Sequence, residues 1–202
     1  MARGIIDYEG LERADIRRLR ETVTPDDIPF DLTKISHVVL KVSDLERSVK
    51  FYSEVLGFRV SDVYPESMMP GRMVFMRCSR DHHGVALVGG GEGPAQGKEL
   101  HHMAFAVATL DELFRARDHL KRHGVKIGFE GRRRAGQQVA VEFADPDNHQ
   151  LEICWGMDCI ERTGTSRPPE EWREVFSLED AVADAPRGQD TTLSVSGRKR
   201  QT

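Results

Sequence analysis

Two histidines, His37 and His102, stand 65 positions apart, each near the start of a short β-type run. The runs are Ile35-Ser36-His37-Val38-Val39-Leu40-Lys41-Val42 and Leu100-His101-His102-Met103-Ala104-Phe105-Ala106-Val107. Imidazole is both a metal ligand and an acid–base group active near neutral pH. Its recurrence at one point of two similar segments is therefore the first chemical clue. A lone strand histidine is more often a satisfied core or edge residue. A carboxylate inside Leu151-Glu152-Ile153-Cys154-Trp155 is harder to set aside. Buried in apolar surroundings, Glu152 needs a partner or a metal.

The elements that would carry these residues repeat as well. Asp44-Leu45 corresponds to Thr109-Leu110, so strand and helix start recur at one offset, the mark of an internal repeat. Along the first strand, alternation puts Val38, Leu40 and Val42 on one face and His37, Val39 and Lys41 on the other. A helix over 45–55 follows, with apolar residues at helical spacing and Gly57 ending it. Strands are expected over 58–63, 72–78 and 84–88. Gly89 to Gly97 is too glycine-rich for a core element and reads as a linker. The second copy has a strand over 100–107, a helix over 110–122 ended by Gly124, and strands over 125–130, 138–143 and 149–155. A basic loop, Gly131-Arg132-Arg133-Arg134-Ala135-Gly136, and a turn at Asp145-Pro146-Asp147-Asn148 separate the last three.

The expected class is α+β: two tandem βαβββ modules, over 31–88 and 99–157, paired into one open barrel-like site. The linker spans 89–98. An N-terminal arm over 1–30 holds a helix within 8–23, broken by Thr24-Pro25-Asp26-Asp27-Ile28-Pro29. A C-terminal extension over 158–202 starts a short helix near Pro168-Pro169, and its polar end from Arg187 is expected to be disordered.

Composition narrows the function. No run approaches the roughly 18 apolar residues of a membrane span, and the N-terminus has no apolar signal region. Cys78, Cys154 and Cys159 are an odd set without C-x-x-C spacing, which fits a reduced, cytoplasmic setting. A net charge of −4 argues against nucleic acid as a partner. A small-molecule enzyme or binder is the expectation, with a homodimer allowed through the arm and the Trp172 segment.

The order of these pieces resembles the vicinal oxygen chelate superfamily, which includes glyoxalase I, methylmalonyl-CoA epimerase, fosfomycin- and bleomycin-resistance proteins and type I extradiol dioxygenases. The resemblance rests on His37 to Val42, Phe51-Tyr52 with Leu56-Gly57-Phe58, His101 to Phe105, and Asp145-Pro146-Asp147-Asn148-His149-Gln150-Leu151-Glu152-Ile153. Carried over residue by residue, it implies that His37, His102 and Glu152 hold a metal. Two imidazoles and one carboxylate suit Fe(II), or Mn(II), with positions left open for substrate and dioxygen. The repeat register favours His102 over His101, which alternation would send to the opposite face.

Four-ligand members of the superfamily add a side chain from the first module. Its last-strand slot here is Ala86, and Met76 is the one weak substitute nearby. The resemblance is therefore closest to a short extradiol dioxygenase, acting on a catechol-like diol and O₂, with His83 as acid–base catalyst. Two departures qualify the substrate. Arg133 stands where such enzymes carry a histidine, and Glu142 where they carry a tyrosine; both are candidate substrate contacts. The alternatives are a metal-dependent glyoxalase- or epimerase-type lyase or isomerase, and a non-catalytic binding or resistance protein.

Overall fold

The computed structural model describes residues 6–23, 34–97, 100–160 and 166–194. The break expected at 24–29 lies outside these residues, as does the tail from 195. Two four-stranded sheets carry the repeat. In the first, β1 (Val38–Lys41), β2 (Arg59–Tyr64), β3 (Met73–Arg77) and β4 (Val85–Val88) lie in the order β1-β4-β3-β2. The second repeats this order with β5 (Met103–Ala106), β6 (Ile127–Arg132), β7 (Val139–Ala144) and β8 (Gln150–Trp155), as β5-β8-β7-β6. In each sheet the first strand runs parallel to the last, and the other pairings are antiparallel. Both copies also break register at one point of their second strand, between Val60 and Asp62 and between Ile127 and Phe129. The two sheets are separate ladders and do not close into a barrel.

Helix α3 (Leu45–Glu54) crosses from β1 to β2. It starts where the Asp44 carboxylate accepts from the Arg47 amide at 3.0 Å. Its counterpart α4 (Leu110–Arg122) starts on a capping box formed by Thr109 and Glu112. One face of each sheet packs under these helices, and the other stays open. On β1, Leu40 and Val42 are buried while Val39 and Lys41 are exposed. On β5, Met103 and Phe105 turn inward, and Ala104 and Ala106 face out. One apolar cluster spans both modules, with Phe58 edge-on to Phe105 at 5.4 Å.

A buried polar clamp reinforces that seam. The Asp147 carboxylate accepts from the Ser43 amide and the Ser48 hydroxyl, both at 2.9 Å, and pairs with Arg47. Asp145 accepts from the Tyr52 hydroxyl at 3.2 Å and faces His149 Nδ1 at 3.0 Å. The hydrogen bond to Asp145 raises the His149 pKa above its ordinary 6.5, burial opposes this, and the Asp145 and Asp147 charges and the Lys41 carbonyl add to it. The ring thus bridges the modules best as an imidazolium, which can donate from both nitrogens. A folded-state pKa above the unfolded one stabilises fully below about pH 6.5, and the benefit disappears as pH rises through the folded value. Urea midpoints across pH 5.5–9 should therefore show a loss of roughly 1–2 kcal/mol toward alkaline pH. His149→Gln should flatten that part of the profile; an unchanged slope would exclude His149 as its source.

Both flanks depart from the sequence reading. The N-terminal helix is two pieces, α1 (Tyr8–Leu11) and α2 (Ala14–Arg20). Near Pro168-Pro169 a 3-10 turn forms at Pro169–Glu171, and a further helix, α5 (Leu178–Ala183), docks on β6. The basic loop is shorter than expected because Gly131 and Arg132 belong to β6. Arg132 is fully buried, and its guanidinium donates to the carbonyls of Asp184 (2.6 Å) and Ala181 and to Gln189 Oε1 (2.8 Å). It thereby satisfies carbonyls at the end of α5 that the helix cannot pair itself. Gly131, at φ 143°, lets this segment approach: a Cβ there would sit 2.0 Å from the Val175 carbonyl oxygen. The polar end expected to be disordered is packed at least to residue 194, with Gln189 and Thr191 bonded to the body.

Candidate metal centre

The open face of the second sheet can be read across its register. Ala104 lies beside Glu152, Glu152 beside Glu142, and Glu142 beside Phe129. The corresponding row of the first sheet is Val39, Ala86, Phe75, Asp62. Ala86 therefore occupies the slot that Glu152 fills in its own module. Met76, the weak substitute ligand, is paired with Val85 and fully buried in the core.

Glu152 is 3% exposed, and its Oε1 has no hydrogen-bond partner among the described residues. Burial is the main reason its pKa is raised, with the Glu142 charge adding to the effect; His102, the Cys154 thiol and the Gln138 amide hold it back. Cys154 shares this face two residues along β8, and burial followed by the Glu152 charge pushes its thiol up to about 11. Neither Gln138 nor Cys154 was singled out in the sequence. Alternation along β8 would have found Cys154, whereas Gln138 needs the β7–β8 register.

The His102 ring turns Nε2 toward Glu152 Oε2 at 3.8 Å, beyond hydrogen-bonding range. His101 is not on the opposite face. Its Nδ1 lies 2.8 Å from His102 Nδ1, because both residues precede β5, where strand alternation does not apply. His37 lies against His83, with ring centroids 4.6 Å apart, and His83 packs edge-on to Phe75 at 5.0 Å. Partial burial, then His37 and His82, lower the His83 pKa. The structure thus brings His102 to Glu152 and His37 to His83; among the described residues no group of three His, Cys, Asp or Glu is assembled to hold a metal. The donor types still fit a divalent cation, since a buried carboxylate oxygen without a partner is what such an ion completes.

The three arginines of the basic segment part company. Arg132 anchors α5, and Arg134 pairs with Glu174 at 2.9 Å. Arg133 alone reaches the open face, where Nε and Nη2 donate to Glu142 Oε1 at 2.8 and 2.6 Å. Its guanidinium lies 3.6 Å from the Phe129 ring centroid. A cleft of about 720 Å³ runs elsewhere, beside the linker, lined by Val39, Lys41, Asn148 and His149 among others. It lacks Glu152 and His102, so the chemistry points to the open face instead.

A family model described as the glyoxalase/bleomycin resistance protein/dioxygenase superfamily matches residues 34–153. The chain belongs to this superfamily. It is 30% identical over 132 residues to the biphenyl-2,3-diol 1,2-dioxygenase of Paraburkholderia xenovorans, covering 64% of this chain and 43% of that one. It is 27% identical over 125 residues to the 3-methylcatechol 2,3-dioxygenase of Pseudomonas putida, covering 60% and 42%. The superfamily member described here thus spans less than half the length of these relatives. Among solved structures, it superposes on the fosfomycin resistance protein of Listeria monocytogenes complexed with Mn(II) and sulfate. That match has a TM-score of 0.52 at 22% identity and covers 66% of this chain and 98% of the other, a likeness of fold. No helix among the described residues is long and apolar enough to cross a membrane.

Proposed function

We propose that this protein is an extradiol-type ring-cleaving dioxygenase, using Fe(II), with Mn(II) as the alternative ion, on a catechol-like aromatic diol and O₂. The observation that carries the reading is the buried Glu152 carboxylate, whose Oε1 has no hydrogen-bond partner among the described residues and whose Oε2 faces His102 Nε2 on the open face of the second module. The relatives named as diol and catechol dioxygenases support it. His37, His102 and Glu152 would hold the ion. When bound, it would supply Lewis-acid binding for the diol and a route for electrons from the diol to dioxygen.

The remaining work falls to the chain itself. Burial disfavours a lone negative charge on Glu152, so the carboxylate favours a cation at this place on the sheet. His83 would take a hydroxyl proton from the diol and return one later. Its lowered pKa keeps the ring neutral, hence basic, at pH 7. Phe75 and Tyr64, 4.8 Å apart edge-on, give the first module an aromatic wall beside His83. Ala104 and Ala106 leave room for a flat ring over β5. Arg133 and Glu142 would meet the substituents of that ring.

The test is oxygen uptake by protein loaded anaerobically with Fe(II), against catechols bearing apolar, polar and acidic substituents. Uptake with a yellow ring-opened product is the expected result. Bound iron without uptake on any catechol would overturn the dioxygenase reading in favour of lyase or isomerase chemistry.

A further inference from the structure

We infer that His101 is a positioning residue for His102, setting which of its nitrogens is free to bind a metal. The inference rests on the reading of His102 as a ligand. The two Nδ1 atoms lie 2.8 Å apart, with the rings nearly perpendicular at 76°. At that distance one Nδ1 carries the proton and the other offers a lone pair, since two lone pairs or two N–H groups would repel.

The direction follows from the other end of His102. Its Nε2 faces Glu152 Oε2 at 3.8 Å, too far to be a donor to it. A neutral imidazole that ligates through Nε2 holds its proton on Nδ1. His102 Nδ1–H therefore donates to His101 Nδ1, and His101 keeps its own proton on Nε2. Carbonyls and carboxylates usually fill this supporting role for a ligand histidine; here the preceding histidine does.

A second pair has the same geometry. His82 and His83 approach through Nδ1 atoms 3.0 Å apart, with the rings at 89°. There an independent charge favours one direction, because Asp62 Oδ2 lies 3.4 Å from His82 Nε2, an ion-pair approach rather than a hydrogen bond. A carboxylate on that side favours the His82 proton on Nε2, which would leave Nδ1 to accept from His83 and free His83 Nε2 as a base. Both chemically competent histidines are thus backed by the residue just before them.

His101 is exposed and lies outside any strand, so its replacement leaves the fold intact. The experiment is an anaerobic Co(II) titration of wild type, His101→Phe and His101→Asn, read by the metal's visible absorption. In parallel, long-range ¹⁵N–¹H correlation reads the His102 tautomer in metal-free protein. The phenylalanine variant should bind Co(II) about 10–100-fold more weakly. The asparagine variant should recover to within a few-fold, because its Oδ1 takes the place of the Nδ1 acceptor. His102 should carry its proton on Nδ1 in wild type and lose that preference in His101→Phe. Equal affinity in all three proteins, or an Nε2-protonated His102 in wild type, overturns the inference. Failure of the wild type to bind Co(II) would overturn the metal reading instead, and the tautomer measurement would still decide the role of His101.

Discussion

Replacing Glu152 by glutamine is expected to abolish catechol-dependent oxygen uptake and at the same time stabilise the metal-free protein. The two effects share one cause. Glu152 is nearly excluded from water, one of its oxygens has no partner among the described residues, and Glu142 on the neighbouring strand adds a like charge. Such a group lowers stability unless a cation completes it. Glutamine keeps the shape and removes the charge, so metal-free Glu152→Gln should gain roughly 1–2 kcal/mol in urea unfolding with chelator present. It should lose its affinity for Fe(II), because a neutral amide oxygen is a poor substitute for a carboxylate ligand. A stability gain with metal binding intact would remove Glu152 from the ligand set. A stability loss would mean that the carboxylate is satisfied by the protein and has no need of an ion.

How far this was legible in the sequence depends on the range of the interaction. The modules, their helices and most strand positions follow from local rules: Asp44 and Thr109 cap, Gly57 and Gly124 terminate, and apolar residues alternate or recur at helical spacing. Glu152 was legible for the same reason, as a charge in an apolar strand. The α5 helix was not. Six residues carry too little periodicity to announce themselves, and a helix so short depends on tertiary support, here from Arg132. Arg132, Arg133 and Arg134 look alike in sequence, yet they end in three environments because β6 runs through Arg132 before the chain turns. The Arg133–Glu142 pair spans a hairpin, so it depends on a register that sequence alone leaves open.

That pair carries the other large expected effect. A diol bound at Glu152 on the open face has Glu142 as the next residue across the sheet and Phe129 beyond it. Any substituent directed that way meets Arg133, held on one Glu142 oxygen and stacked over Phe129. With side chains 38% and 31% exposed, the pair contributes only about 1 kcal/mol or less while solvated. Covering it with an apolar aryl group would convert it into a largely buried ion pair with no new hydrogen bonds, at a cost of roughly 1–3 kcal/mol for a pair that keeps part of its solvent. A polar substituent avoids that cost, because Glu142 Oε2 and the guanidinium edge can bond to it. Wild-type kcat/KM should therefore be about 10–100-fold lower for 2,3-dihydroxybiphenyl than for a catechol with a compact polar group, each tenfold step being about 1.4 kcal/mol. The double variant Arg133→Leu/Glu142→Leu should reverse the order. Arg133→Leu alone should impair both substrates, since it leaves Glu142 unneutralised beside Glu152, so the two substitutions will not be additive. Should 2,3-dihydroxybiphenyl prove the best substrate of the wild type, the bound ring must point away from β7, and Arg133 with Glu142 would have no part in choosing it.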